Sequence, residues 1–169
     1  MSATRPSSHR RGSCASDRYS ACHERREIPI PKNIVILDTL SRWHAAVAHR
    51  DLRALDTLLG DDVVFHSPIV HTPQVGKAIT TQYLAAAFRV FFNETFHYVR
   101  EVSDAKNAVL EFSVTIDDVV VNGVDMIRWN DAGQIIDFTV MIRPLKAVHL
   151  IHEKMAAMLQ ASAPSGATA

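Results

Sequence analysis

Asp125 is the residue whose setting most invites chemistry. It stands in the run 119–130, where apolar and polar residues alternate as in a strand. Parity puts Val121, Gly123, Ile127 and Trp129 on its face. A carboxyl among apolar neighbours has its charged form disfavoured, so its pKa rises towards the range where a general acid or base works. The plainer reading, that Asp125 looks outward or pairs with Arg128 or Arg143, stays open on sequence alone. His66, just after the apolar run Val63-Val64-Phe65, is the candidate second proton-transfer group, with His71 in the following loop and Tyr83 as a nearby donor. Strand alternation sends His66 and Ser67 to opposite faces, so only one of them looks inward.

His66, His71 and Asp125 have the donor atoms for an open zinc or iron site, but no His-x-x-x-His or comparable spacing accompanies them. His149 and His152 lie three apart on the last helical pattern, outside the region that would hold a site, and His44 and His49 fall at the polar edge of the first. Cys14 and Cys22, with His9 and His23 nearby, lack the spacing of a zinc knuckle. The expectation is therefore no metal and no cofactor, and no thiol chemistry in the folded part.

The elements that must position these groups follow from periodicity. Ile36, Leu40, Trp43 and Val47 recur at helical spacing and predict a helix over 33–49, with Asn33 as its cap. Asp51 is read as the cap of a second, short helix carrying Leu52, Leu55, Leu58 and Leu59, stopped at Gly60. After the short strand at 63–65, Pro68 and the stretch 71–76 read as a loop. Ile79, Tyr83, Ala87, Phe88 and Phe91 then mark a third helix over 77–92. The period next changes to two, giving strands over 96–103, 108–117, 119–130 and 134–143. The short connections, Asp117-Asp118 among them, make antiparallel hairpins. Leu145, Val148, Ile151, Met155 and Leu159 form a final amphipathic helix over 145–160. Phe88, Phe91, Phe92, Phe96 and Phe112 are core and cavity lining, supplying shape rather than chemistry.

Composition narrows the partners. The chain has 169 residues, with 18 Lys plus Arg against 18 Asp plus Glu, a balance that argues against a nucleic-acid or membrane-surface binder. No apolar run is long enough to span a bilayer. Residues 1–31 hold six arginines, three acids and few large apolar side chains, so they read as a disordered Arg/Ser-rich tail. One domain over 32–161 and a frayed end at 162–169 complete the organisation. A cytoplasmic location is the default.

Several local patterns resemble the SnoaL-like domains of the nuclear transport factor 2 superfamily. They are Asp51-Leu52 with Leu55 and Leu58-Leu59 ahead of Asp61-Asp62-Val63; Phe65-His66-Ser67-Pro68 with Gly76 opening the third helix; and Gly123 to Trp129 leading through Asp131-Ala132-Gly133 into the last strand. The resemblance implies an α+β fold: a cone-shaped curved antiparallel sheet wrapped around the N-terminal helices, here with an extra C-terminal helix. It also implies an apolar hollow open at one end, and a homodimer through the outer sheet face.

Ketosteroid isomerases of this superfamily carry a neutral aspartic acid on the strand that matches Asp125. Their base aspartate, just before a proline, is replaced here by Ser67, and their helix-one tyrosine by Trp43, which keeps a donor. The ordinary steroid isomerase mechanism is therefore not expected. The function class implied is an isomerase, cyclase or lyase acting on a small apolar molecule. Asp125 and His66 would be its proton-transfer pair, and Trp43, Ser67, Tyr83, Phe88, Phe112 and Ile127 would line its site. The alternative is a non-catalytic ligand-binding or dimeric accessory module.

Overall fold

The computed structural model describes residues 33–162, with side chains from 39 to 161. Helix α1 (Asn33–His49) leads through a turn to the single-turn helix α2 (Ala54–Leu58). Asp51 organises that turn, its Oδ1 accepting the Arg53 amide at 2.9 Å. Strand β1 (Leu59–His66), the two-residue strand β2 (Gln74–Val75) and helix α3 (Lys77–Phe91) come next. They are followed by β3 (His97–Ser103), β4 (Asn107–Ile116), β5 (Val119–Trp129), β6 (Ile135–Arg143) and helix α4 (Leu145–Ser162). The tail 1–31, with Cys14 and Cys22, and the end beyond Ser162 lie outside the described residues.

The four-strand meander β3 to β6 forms as the turn chemistry dictates. Asp117 and Asp118 take the left-handed conformation, φ 46° and 60°, and close β4 onto β5 with a two-residue hairpin loop. Between β5 and β6, Gly133 supplies the positive φ, and Asn130 Oδ1 accepts the amides of Ala132 and Gln134. Burial alternates strictly along β4 and β5, as a sheet with one face on the core requires.

Three features differ from the sequence expectation. The sheet has six strands in the order β2-β1-β6-β5-β4-β3, and β1 joins β6 in parallel, so it is mixed rather than wholly antiparallel. Gly60 lies inside β1 instead of ending a helix. A Cβ there would sit 3.3 Å from the Ile136 side chain and 3.4 Å from the Ile135 carbonyl oxygen, so glycine eases the approach to β6. Gln74–Val75, expected as loop, pairs with β1.

The concave face of the sheet receives the helices. Leu40, Trp43, Ala46 and Val47 of α1 pack with Leu110, Ile127, Trp129 and Phe138 of β4, β5 and β6 in one buried cluster. Thr39 Oγ1 donates to the Gly133 carbonyl oxygen at 3.0 Å and ties α1 to the β5–β6 turn. A second cluster joins Phe112, Val114 and Val121 to Ala147 and Ile151 of α4. No helix among the described residues is long and apolar enough to cross a membrane.

Candidate functional site

Asp125 sits mid-strand in β5, opposite Leu110 of β4 on one side and Val140 of β6 on the other. The alternation that buries Val121, Gly123, Ile127 and Trp129 buries Asp125 as well, at 6% exposure. No cation approaches it among the described residues. Arg128 turns outward to Asp137 (3.5 Å), and Arg143 Nε donates to Asn122 Oδ1 (2.6 Å). One hydrogen bond reaches its carboxyl: the Tyr98 hydroxyl donates to Oδ2 at 3.3 Å. That hydroxyl in turn accepts the Trp43 indole N–H at 2.9 Å. Burial raises the Asp125 pKa to about 7, and the Tyr98 hydrogen bond opposes part of that rise. Burial, and then the nearby Asp125 charge, push the Tyr98 hydroxyl well above its ordinary value.

Asp125 faces a cavity of about 50 Å3 bounded by Trp43, Phe65, Phe88, Phe112 and Phe138, with Ile151 and Met155 of α4 closing one side. That is space for a few waters, well below the volume a drug-sized ligand occupies. Gly123, two residues before Asp125 on the same face, shapes this wall. A Cβ there would fall 2.2 Å from Phe112 Cζ, so the ring lies where only glycine leaves room. Ser67 also lines the cavity. Its Oγ accepts the amides of Ile69 (3.2 Å) and Val70 (3.3 Å), which leaves its own hydroxyl proton to donate.

The structure thus brings together Trp43, Ser67, Phe88, Phe112 and Asp125, and leaves out three residues expected with them. His66 takes the outer face of β1, because Phe65 points inward and the side chains alternate. Its Nε2 lies 3.5 Å from Asp137 Oδ2, away from the cavity. Tyr83 packs its ring against Phe65 (centroids 5.6 Å apart) outside the lining, and Ile127 is buried in the α1 cluster. Asp125 is the one titratable side chain lining the cavity among the described residues. Among the described residues no three His, Cys, Asp or Glu side chains converge to hold a metal ion.

Tyr98 is the site residue that sequence reasoning missed. Its signal was the spacing Phe96-x-Tyr98 at the start of a strand, which marks an inward pair with one polar tip.

These features define a class: an α+β cone in which, among the described residues, one buried acid with no cation beside it is turned into the hollow. Comparison with known proteins agrees. Residues 40–138 match the SnoaL-like domain, and the chain belongs to that family within the nuclear transport factor 2 superfamily. A steroid delta-isomerase from Pseudomonas aeruginosa is 38% identical, with a TM-score of 0.72 over 76% of this chain and 93% of that one. An uncharacterised cystatin-like-fold protein from Silicibacter pomeroyi is 33% identical, with a TM-score of 0.66 over 70% and 83%. A nuclear transport factor 2-like protein of unknown function from Mesorhizobium loti shares the fold at 16% identity and a TM-score of 0.58, over 69% and 97%. No protein of curated function matches.

Proposed function

We propose that this protein is an isomerase-type enzyme that binds a small, mainly apolar carbonyl compound in the cone and moves a proton on it through Asp125. The observation that carries this reading is a buried carboxyl with no cation beside it, facing an apolar cavity, with a pKa of about 7. Such a group is present in both protonation states at neutral pH. The ionised form takes a proton from a carbon next to the carbonyl, and the acid so formed returns it to another carbon of the same compound. The balance closes with one residue. Ser67, polarised by the two amides it accepts, donates its hydroxyl proton in a hydrogen bond to the developing enolate oxygen. Compared with the ketosteroid isomerase pattern the two positions exchange parts: the base stands on β5 and the hydroxyl stands before the proline.

The steroid delta-isomerase likeness makes an unconjugated steroid enone the first compound to test. A compound that large requires lining side chains to move, Ile151 and Met155 of α4 among them. Turnover of the enone should fall about 100-fold or more in Asp125→Asn, the order expected for losing a positioned acid–base group, with circular dichroism unchanged. Equal turnover in both proteins would end the proposal.

A second reading, binding without turnover in a dimeric module, is favoured by the lack of a second titratable group in the lining among the described residues. On that reading Asp125→Asn leaves affinity for a captured ligand nearly unchanged. In either case we propose a homodimer through the outer sheet face, where Val102, Val109, Val120 and Met141 are exposed.

A further inference from the structure

We infer that Trp43 and Tyr98 form a one-way hydrogen-bond relay that fixes which oxygen of Asp125 meets a ligand, making Tyr98 a positioning residue of the site. The inference rests on the proposal that Asp125 is the reacting group, and extends it to the geometry of that group.

Direction comes from the donors. An indole N–H can only donate, so at 2.9 Å it claims a lone pair of the Tyr98 oxygen. The single phenolic proton is then free to point at Asp125 Oδ2, 3.3 Å away, and the chain reads Trp43 to Tyr98 to Asp125. Oδ2 is therefore an acceptor whether the carboxyl is neutral or ionised. When Asp125 is neutral its proton sits on Oδ1, which has no hydrogen-bond partner among the described residues and belongs to a side chain lining the cavity. One oxygen is anchored and the other is presented.

The two ends of the relay are buried and Tyr98 between them is half-buried. Trp43 is 2% exposed. The strands flanking Asp125 bring Leu110 and Val140 beside it, both apolar. The titratable groups facing the Tyr98 ring are His44 of α1, edge-on at 5.1 Å between centroids, and Glu101 of β3, whose carboxyl lies 2.7 Å from the His44 ring. This pair sits on the solvent side of Tyr98 and makes no contact with Asp125.

The test is a carbon-13 NMR titration of side-chain carboxyls in the ligand-free, full-length protein, with Asp125→Asn identifying the resonance. Tyr98→Phe removes the donor to the carboxylate, so the Asp125 midpoint should rise by about one pH unit, the tenfold change of a lost charge-assisted hydrogen bond. Replacing Tyr98 with a ring-fluorinated tyrosine keeps the shape and strengthens the donor, so the midpoint should fall. A purely structural role for Tyr98 would move melting temperature and leave the midpoint in place. An unmoved midpoint, or displacements of the opposite sign, would overturn the relay whatever the outcome of the enone assay. Opposed displacements with no enone turnover would keep the relay and remove the isomerase reading.

Discussion

Two carboxyl groups on neighbouring strands show how one sheet makes two environments. Asp125 pairs across the ladder with Leu110, and the residue after Leu110 is Glu111. A single step along β4 carries the side chain from the hollow to the outer face. There Glu111 accepts Arg100 Nε at 3.0 Å and Nη2 at 2.8 Å, and Asn122 Nδ2 at 3.2 Å. The Asn122 hydrogen bond, with the Arg100 charge behind it, holds the Glu111 carboxyl below its ordinary range. Asp125 has one phenol, no cation and apolar walls, and its carboxyl is held well above that range. The outer acid is satisfied and serves the fold. The inner one is left unsatisfied on one oxygen, which is the condition for handling a ligand or a proton.

The contrast can be broken most forcefully at Asp125. Its pKa is about 7 in the folded chain against 3.8 for the ordinary group. Between those values the native state holds the proton more tightly than the unfolded state does. The contribution of this group to stability is therefore greatest below about pH 4, declines as pH rises, and levels off above about 7. Asp125→Asn removes that decline and should stabilise the protein by about 4 kcal/mol above neutrality and by almost nothing near pH 4. Urea unfolding at the two pH values measures it, and an equal effect at both would show that burial does not destabilise the ionised form.

Gly123→Ala is the next largest change. The new methyl meets the Phe112 ring and, at 2.9 Å, the Met141 carbonyl oxygen, which cannot step aside. A loss of about 1–3 kcal/mol is expected, read as a lower melting temperature, because the inner face is packed to contact. Val109→Lys, on the outer face between Val102 and Met126 in register, sharpens the comparison from the other side. It should leave monomer stability within about 0.5 kcal/mol while converting the proposed dimer to a monomer in sedimentation. A dimer that survives the charge would move the interface elsewhere.

What was legible in the sequence was whatever local spacing controls. The parity of Val121, Gly123, Asp125, Ile127 and Trp129 needed only a strand, and the Asp117-Asp118 loop needed only a two-residue hairpin. The bounds of α1 and α3 followed from helical spacing to within a residue. The parallel pairing of β1 with β6 was not legible, because about 70 residues separate Val64 from its partner Asp137 and no turn announces the contact. That same pairing explains Gly60, whose role is to let two strands approach. His66 failed because alternation fixes that neighbours diverge but not which one faces in; the burial of Phe65 decided it. Tyr98 was obscured by the irregular register between Tyr98 and Arg100, which breaks the strand pattern just where its hydroxyl turns towards Asp125.

The placement of Ile151 and Met155 against the cavity has a kinetic side. Under the proposed function a guest larger than a few waters would have to displace these two side chains, and an encounter that needs such a rearrangement is slower than docking on an open surface. Substitutions at Ile151 or Met155 would then change how long a guest stays while leaving Asp125 as it is.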